Sequence, residues 1–482
     1  MSSVTAVITT VPWTDTDSLL MAPGVLKSSL TSAGISSVAM DLNQEVRQKV
    51  LASVHKKELI EFFVTQQVVE KARDEIHDLF NFMADRILSH NPEWACISLF
   101  THFCQISCRW LCFILKQRRP DLKIVIGGAG CFISLKDIDA YVVNLRSKKL
   151  VDYFISGDGE KSLPALLLGH ADYPGINMTT WKNLENLDNL PFPDYSDYDF
   201  GLYKIKAVGI WGSRGCVRDC TFCDIHEHWN RFQWRSADSI FTEMIKQHQM
   251  YGINLFLFAD SLINGNQKEY RKLIRLLADY NNQQPADNRI RWTSFFIFRP
   301  QTQMSEEDWR LTAESGALML LVGVESFVDH IREHLKKKFN NQDLDYGLRM
   351  AKKYNINLTL LLIVGYVTET EQDHQEQLQW IRDNSHYAGN PVKIVQLGST
   401  LAILPGTWLA RHQQDLGVQL HSNTVFQNWT RPDIGSTPDV RMRWHQETTQ
   451  VLKENGFSPA FFEDNHLLIA SYIKNEHGQN QN

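Results

Sequence analysis

Three cysteines are the residues best placed to do chemistry. The segment Gly215-Cys216-Val217-Arg218-Asp219-Cys220-Thr221-Phe222-Cys223 sets them at C-x3-C-x2-C spacing. Thiolates are the ligands of iron–sulfur clusters, and a 4Fe–4S cluster has four irons to satisfy. Only three thiolates are offered here, and the chain has no cysteine after Cys223. One iron is then left to a non-protein ligand, which is what binding a substrate or cofactor at the metal requires. Zinc ligation, with His226 or His228 as a fourth ligand, and plain burial of three thiols are the competing readings. A second set, Cys104, Cys108 and Cys112, has an even spacing of four beside Trp110-Leu111. That spacing places all three on one helix face, where free cysteine packs as a small hydrophobe. They read as a buried stripe, and Cys96 and Cys131 as structural.

The elements that must carry these residues alternate between short β-branched runs and helical patterns, the signature of α/β units with parallel sheets. The first series predicts strands at Ala6–Val11, Ser37–Asp41, Trp94–Phe100, Lys123–Gly128 and Asp152–Ser156. Helices are predicted near Val25–Ala33 and His102–Lys116, so the domain reads as an open, doubly wound sheet. A helical insertion over about 44–91, rich in Glu, Lys, Phe and Leu, interrupts it. Pro174, Gly175, Pro191 and Pro193 mark an irregular connector. A second series predicts strands at Lys206–Trp211, Leu255–Ala259, Trp292–Phe298, Ala317–Val324, Leu358–Val364 and Lys393–Thr400, with helices between them. Six such repeats fit a barrel or partial barrel. The expected organisation is a doubly wound domain over 1–170, a linker over 171–204, a partial (β/α)6 barrel over 205–407 and a small C-terminal region over 408–482.

Composition narrows the function classes. The chain has 482 residues, 43% hydrophobic and 22% charged, with a formal net charge of −6. That balance gives no basic excess for a nucleic-acid partner. The basic run Arg332 to Lys338 reads as a solvated helix face. No apolar run reaches the roughly 18 residues of a membrane span. The opening MSSVTAVITTVPW lacks the charged n-region and cleavage site of a signal peptide. Eight cysteines in this length do not make a disulfide scaffold, so a reducing cytoplasm is expected.

With these residues in view, the chain resembles the radical S-adenosylmethionine (SAM) superfamily, which carries the same cysteine spacing after its first barrel strand. Phe222 matches the aromatic residue usual before the last cysteine, which lies near the adenine of SAM. Ser213-Arg214-Gly215-Cys216 is similar to the subgroup with an N-terminal cobalamin-binding fold, although Val217 stands where proline is common. Phe256-Leu257-Phe258-Ala259-Asp260-Ser261, Leu321-Val322-Gly323-Val324-Glu325-Ser326, Ile363-Val364-Gly365-Tyr366-Val367-Thr368-Glu369 and Pro405-Gly406-Thr407 match the family's landmarks at later strand ends. The resemblance implies that Cys216, Cys220 and Cys223 hold a 4Fe–4S cluster. SAM then chelates the open iron and is split by one electron to a 5′-deoxyadenosyl radical. It further implies cofactor contacts at Gly323, an ammonium partner in Asp260 and a ribose or amine partner in Glu325. Backbone at Val364 and Gly365 would lie against the adenine. The alternative for each acid is a cap on the following helix.

The first domain resembles the subgroup's cobalamin-binding fold through Val125-Ile126-Gly127-Gly128-Ala129 and the stretch Val151–Glu160. Ser98, Thr101, Gly127, Gly128 and Gly157 would then line a cobalamin pocket, the alternative for the glycines being tight turns. The D-x-H-x-x-G motif that supplies a lower cobalt ligand is missing from the loop after the first strand, Thr14 to Ser18, and His102 reads as a helix-start residue. The implied activity is a cobalamin-dependent methyltransferase acting on an unactivated carbon. A radical cyclase or rearrangement enzyme on the same scaffold is the runner-up, and a non-catalytic iron–sulfur or zinc protein the alternative outside enzymes. The expected partners are a small-molecule or peptide substrate and an electron donor such as flavodoxin or ferredoxin. Trp408, Trp429, Trp444, Phe461 and Phe462 are candidates to cover the barrel mouth, or else form a small core.

Overall fold

The computed structural model describes residues 4–14, 18–65, 67–131, 138–178, 186–229, 231–422 and 426–460. The chain divides into two compact units, Met1–Val208 and Gly209–Asn482.

The first unit is built on five parallel strands: β1 (Ala6–Thr10), β2 (Ser37–Asp41), β3 (Trp94–Ser98), β4 (Lys123–Gly127) and β5 (Tyr153–Ile155), in the order β2-β1-β3-β4-β5. Helices cover both faces of such a sheet, so its strands are apolar throughout rather than alternating; every residue of β1 is buried. The chain leaves β1 for β2 on one side and returns to β3 on the other, a topological switch whose crevice lies at the C-terminal strand ends. The insertion forms three helices, Leu42–Ala52, Lys56–Thr65 and Arg73–Leu88. They bury Phe62, Phe63 and Phe80 in one core with Val7 of β1 and Val11 just past it. The later part of the stretch expected as an irregular connector is tied down: Lys27 Nζ reaches Asp197 at 2.7 Å and Tyr203 donates to Asp41 at 2.9 Å.

The second sheet has seven strands: β6 (Ala207–Ile210), β7 (Leu255–Phe258), β8 (Arg291–Phe296), β9 (Ala317–Glu325), β10 (Asn357–Leu362), β11 (Val392–Leu397) and β12 (Pro459–Ala460). Their order is β12-β11-β10-β9-β8-β7-β6 and the pairings from β7 to β12 are parallel, so among the described residues the sheet stays open as a partial barrel. Side-chain caps start the intervening helices. Ser305, Asn340 and Thr370 each form a reciprocal capping box, with Asp308, Asp343 and Asp373. The six predicted barrel strands are present. The seventh, β12, comes from the tail, after a helix at Pro438–Glu454.

The basic run Arg332 to Lys338 is not a solvated helix face. Its first residues end a short helix, Asp329–His334, in which Arg332 is fully buried. Past Leu335 the chain is no longer helical, and Leu335, Lys337 and Phe339 point inward while Lys338 is exposed.

Candidate metal and cofactor site

The cysteine segment is a loop pinned at its base. Ser213 and Arg214 pair antiparallel with Trp234 and Gln233, so the chain enters and leaves the loop side by side. Gly215 turns the corner at φ +76°, where a Cβ would stand 2.7 Å from the Arg231 carbonyl. Cys216, Cys220 and Cys223 are free thiols, each partly open to solvent. The Cys223 N–H donates to the Cys220 carbonyl at 3.1 Å and the Arg218 N–H to Cys216 Sγ at 3.4 Å. Thr221 anchors the far side. Its hydroxyl meets Tyr366 Oη at 2.7 Å, Tyr366 Oη meets His334 Nδ1 at 2.8 Å, and its carbonyl accepts from the Leu409 N–H at 3.0 Å.

The strand-end acids have different surroundings. Asp260, just past β7, is 1% exposed and accepts from the Gly212 N–H at 2.7 Å and from the Ser213 hydroxyl. Burial pushes its carboxyl up to about 7 against those bonds. Its oxygens thus hold the start of the cysteine loop. Glu325 sits on a bulge: the β9–β10 register shifts between Gly323 and Glu325, and Glu325 takes φ +65°. A bulge re-aims the side chain it carries, and here Glu325 Oε1 accepts from Lys337 Nζ at 2.9 Å. A Cβ on Gly323 would stand 2.5 Å from that oxygen and 2.8 Å from that nitrogen, so the glycine makes room for the pair.

The fifth-strand motif is fixed from behind. Glu369, fully enclosed, accepts from the N–H groups of Gly365 (2.7 Å) and Tyr366 (2.9 Å), and burial pushes it up to about 7. The Val364 carbonyl accepts from the Leu401 N–H at 3.2 Å. Gly365 has φ +78°, and Arg441 occupies the space a side chain would need. Arg441 itself is fully buried over Trp429, 3.5 Å from the ring centre.

Lys337, Tyr366 and Arg441 were not singled out from the sequence. Only Lys337 carried a usable signal: apolar residues at 335 and 339 mark an inward, period-two face once the helix has stopped. For the aromatic tail, the structure takes the core reading at two of the five positions. Trp429 is fully buried, with its indole N–H on the Leu401 carbonyl at 2.9 Å, and Trp444 is 1% exposed and stacked on His374, so both are core. Phe461 and Phe462 lie outside the described residues.

In the first unit the expected cofactor residues gather at the C-terminal edge of the sheet. Ser98 pairs with Gly127 across β3 and β4, Thr101 follows β3, and Gly157 follows β5 at φ +82°. Gly128 has φ +94° and lies so close to β3 that a Cβ would stand 2.5 Å from the Leu99 carbonyl, a reason internal to the fold. Beside them Phe100 and Phe103 remain 58% and 45% exposed.

Residues 212–381 match the family model described as the radical SAM superfamily, so the chain carries a radical SAM domain. Its fold is that of cobalamin-dependent radical SAM enzymes. TsrM from Kitasatospora setae, a radical SAM methyltransferase solved with cobalamin and a [4Fe-4S] cluster, superposes with TM-score 0.64 at 14% identity over 99% of this chain and 100% of that one. OxsB, solved with aqua-cobalamin and SAM, gives 0.63 at 15% identity over 93% and 66%. At such identities the likeness is one of fold. Among curated relatives, the anaerobic magnesium-protoporphyrin IX monomethyl ester cyclase of Synechocystis is 25% identical over 313 residues, 60% of this chain and 58% of that protein. The cytidylyl-2-hydroxyethylphosphonate methyltransferase of Streptomyces wedmorensis is 28% identical over 197 residues, 37% and 34%. The chain thus spans less than two thirds of the length of these relatives.

A radical SAM domain implies a 4Fe–4S cluster and SAM, and the loop fits them. Its donor set is three thiols on one short loop, partly exposed, each able to take a different iron. Burial pushes Cys223 up to about 12 and raises Cys220 as well; iron in place of the proton reverses that preference, since the thiolate is the ligand. Among the described residues no three His, Cys, Asp or Glu side chains converge on a single-ion site. Ligands of a four-iron cluster need not converge, because each serves its own metal.

Proposed function

We propose that the protein is a radical SAM enzyme, with Cys216, Cys220 and Cys223 holding the cluster and the first unit holding cobalamin, and that it methylates an unactivated carbon. One observation carries the reading: three free, half-open thiols share a loop pinned at both ends, on the strand-end face where parallel barrels keep their sites. When bound, the cluster supplies an electron and an open coordination position for reductive cleavage of SAM. The residues of the chain do the rest. Glu325, re-aimed by its bulge, is assigned to the hydroxyls or amine of SAM; Phe222 and the Val364–Gly365 backbone to its adenine; Asp260 to keeping the loop entrance in place. Cobalamin, when bound, supplies the methyl-transferring centre, and Ser98, Thr101, Gly127, Gly128 and Gly157 are assigned to its pocket, next to the exposed Phe100 and Phe103. The fold shared with TsrM and OxsB supports this assignment.

We assign the electron to a flavodoxin or ferredoxin and the substrate to a small molecule or peptide, in the cytoplasm. No helix of the described residues is long and apolar enough to cross a membrane. The curated cyclase relative favours a second reading, radical cyclisation or rearrangement on the same scaffold. Anaerobic reconstitution with iron and sulfide, followed by reduction with SAM, tests the enzyme: 5′-deoxyadenosine is expected, and its absence refutes the reading. Retention of one equivalent of added hydroxocobalamin supports methyl transfer; failure to retain it leaves cyclisation ahead.

A further inference from the structure

Lys336 and Lys338 take left-handed backbone conformations, φ +62° and +58°. Such a conformation is strained for an L-residue, and glycine ordinarily closes a helix this way. Both lysines reach toward the cysteine loop. Lys336 Nζ lies 3.3 Å from one oxygen of Asp219 and Lys338 Nζ 4.0 Å from the other, and Asp219 stands between Cys216 and Cys220.

Between them Lys337 turns inward and is 7% exposed. Its ammonium lies 2.9 Å from Glu325 Oε1 and 5.9 Å from the centre of the Phe222 ring, which is flanked in sequence by Thr221 and Cys223. Burial disfavours its charge, but the adjoining Glu325 favours it, and the balance keeps the ammonium protonated. A buried ion pair adds little net stability compared with apolar packing. Its informative property is its place.

Resting on the cluster reading, we propose that Lys337 is a positioning residue of the metal site, fixing the Glu325 carboxylate and setting one positive charge beside the cysteine loop so that electron uptake there is favoured. Adding an electron makes the cluster more negative, and a nearby fixed cation stabilises that state through the poorly screened interior.

The test is an anaerobic redox titration of the reconstituted protein with dithionite, followed by electron paramagnetic resonance, alongside iron and sulfide content. K337M should titrate at a lower potential, with the reduced-to-oxidised ratio at the wild-type midpoint falling about tenfold, and K337R should restore it. E325Q should shift the midpoint the opposite way, because it removes a neighbouring negative charge. If K337M loads less iron, the midpoint is read on the loaded fraction and E325Q gives the same test with reversed sign. A K337M midpoint equal to wild type, or K337M and E325Q shifting alike, overturns the proposal. Wild-type protein that forms no cluster signal refutes the cluster reading instead.

Discussion

The molecule contains two cysteine trios of similar spacing and opposite character. Cys104, Cys108 and Cys112 are at most 1% exposed. The last two stand on successive turns of the helix Gln105–Arg118, with Sγ atoms 3.9 Å apart, while Cys104 packs near Thr14 at 3.5 Å. Cys216, Cys220 and Cys223 sit on non-helical backbone, partly open, among Arg218, Lys337 and the Asp219 clamp. Three closely spaced thiols are therefore not yet a site. Helical packing makes Cys108 and Cys112 part of a core, whereas a pinned loop leaves Cys216, Cys220 and Cys223 partly open to solvent.

The largest expected effect breaks the comparison outright: Cys220→Ala should abolish both cluster and SAM cleavage, while Cys108→Ala should keep full iron content. Equal iron loss in the two would dissolve the distinction. Next, Gly365→Ala should cost about 2–4 kcal/mol, from a positive φ and overlap with Arg441, read by denaturant unfolding of the apo-protein. Glu369→Ala should cost about 2–4 kcal/mol by stranding two buried N–H groups, and Glu369→Gln distinctly less, because an acceptor remains. By the same measurement Cys108→Ala should cost only about 1–2 kcal/mol, as a small buried hydrophobe does.

The smallest effect is in pH. Glu369 binds its proton more tightly folded, near 7, than in the unfolded chain, near 4. Its contribution is thus full below about pH 4 and is lost as pH rises to about 7. The stability of Glu369→Gln relative to wild type should therefore climb between about pH 4 and 7 and level off above that; a flat difference would deny the raised carboxyl.

Much of the scaffold was legible because local patterns decide it. Apolar β-branched runs marked every predicted strand, but several runs overshoot their strands: β5 is Tyr153–Ile155 against Asp152–Ser156, and β11 is Val392–Leu397 against Lys393–Thr400. The cysteine loop was legible from its spacing and from its place directly after a strand. Contacts across the sequence were not. Nothing near Asp260 announces that Gly212 and Ser213 will claim its oxygens, and Trp429 and Trp444 look alike in sequence whether they cover a mouth or fill a core. Lys337 was lost for another reason: a run of basic residues suggests a helix in water, but Leu335 ends the helix and the backbone then alternates.

The antiparallel pairing of Ser213–Arg214 with Gln233–Trp234 has a consequence for assembly of the centre. Tethering both ends of a loop before any metal arrives removes much of its closure entropy, so less ordering free energy must be recovered from iron–sulfur bonds. Iron capture should accordingly be rapid and repeatable, and a chain stripped by chelation should reload without refolding.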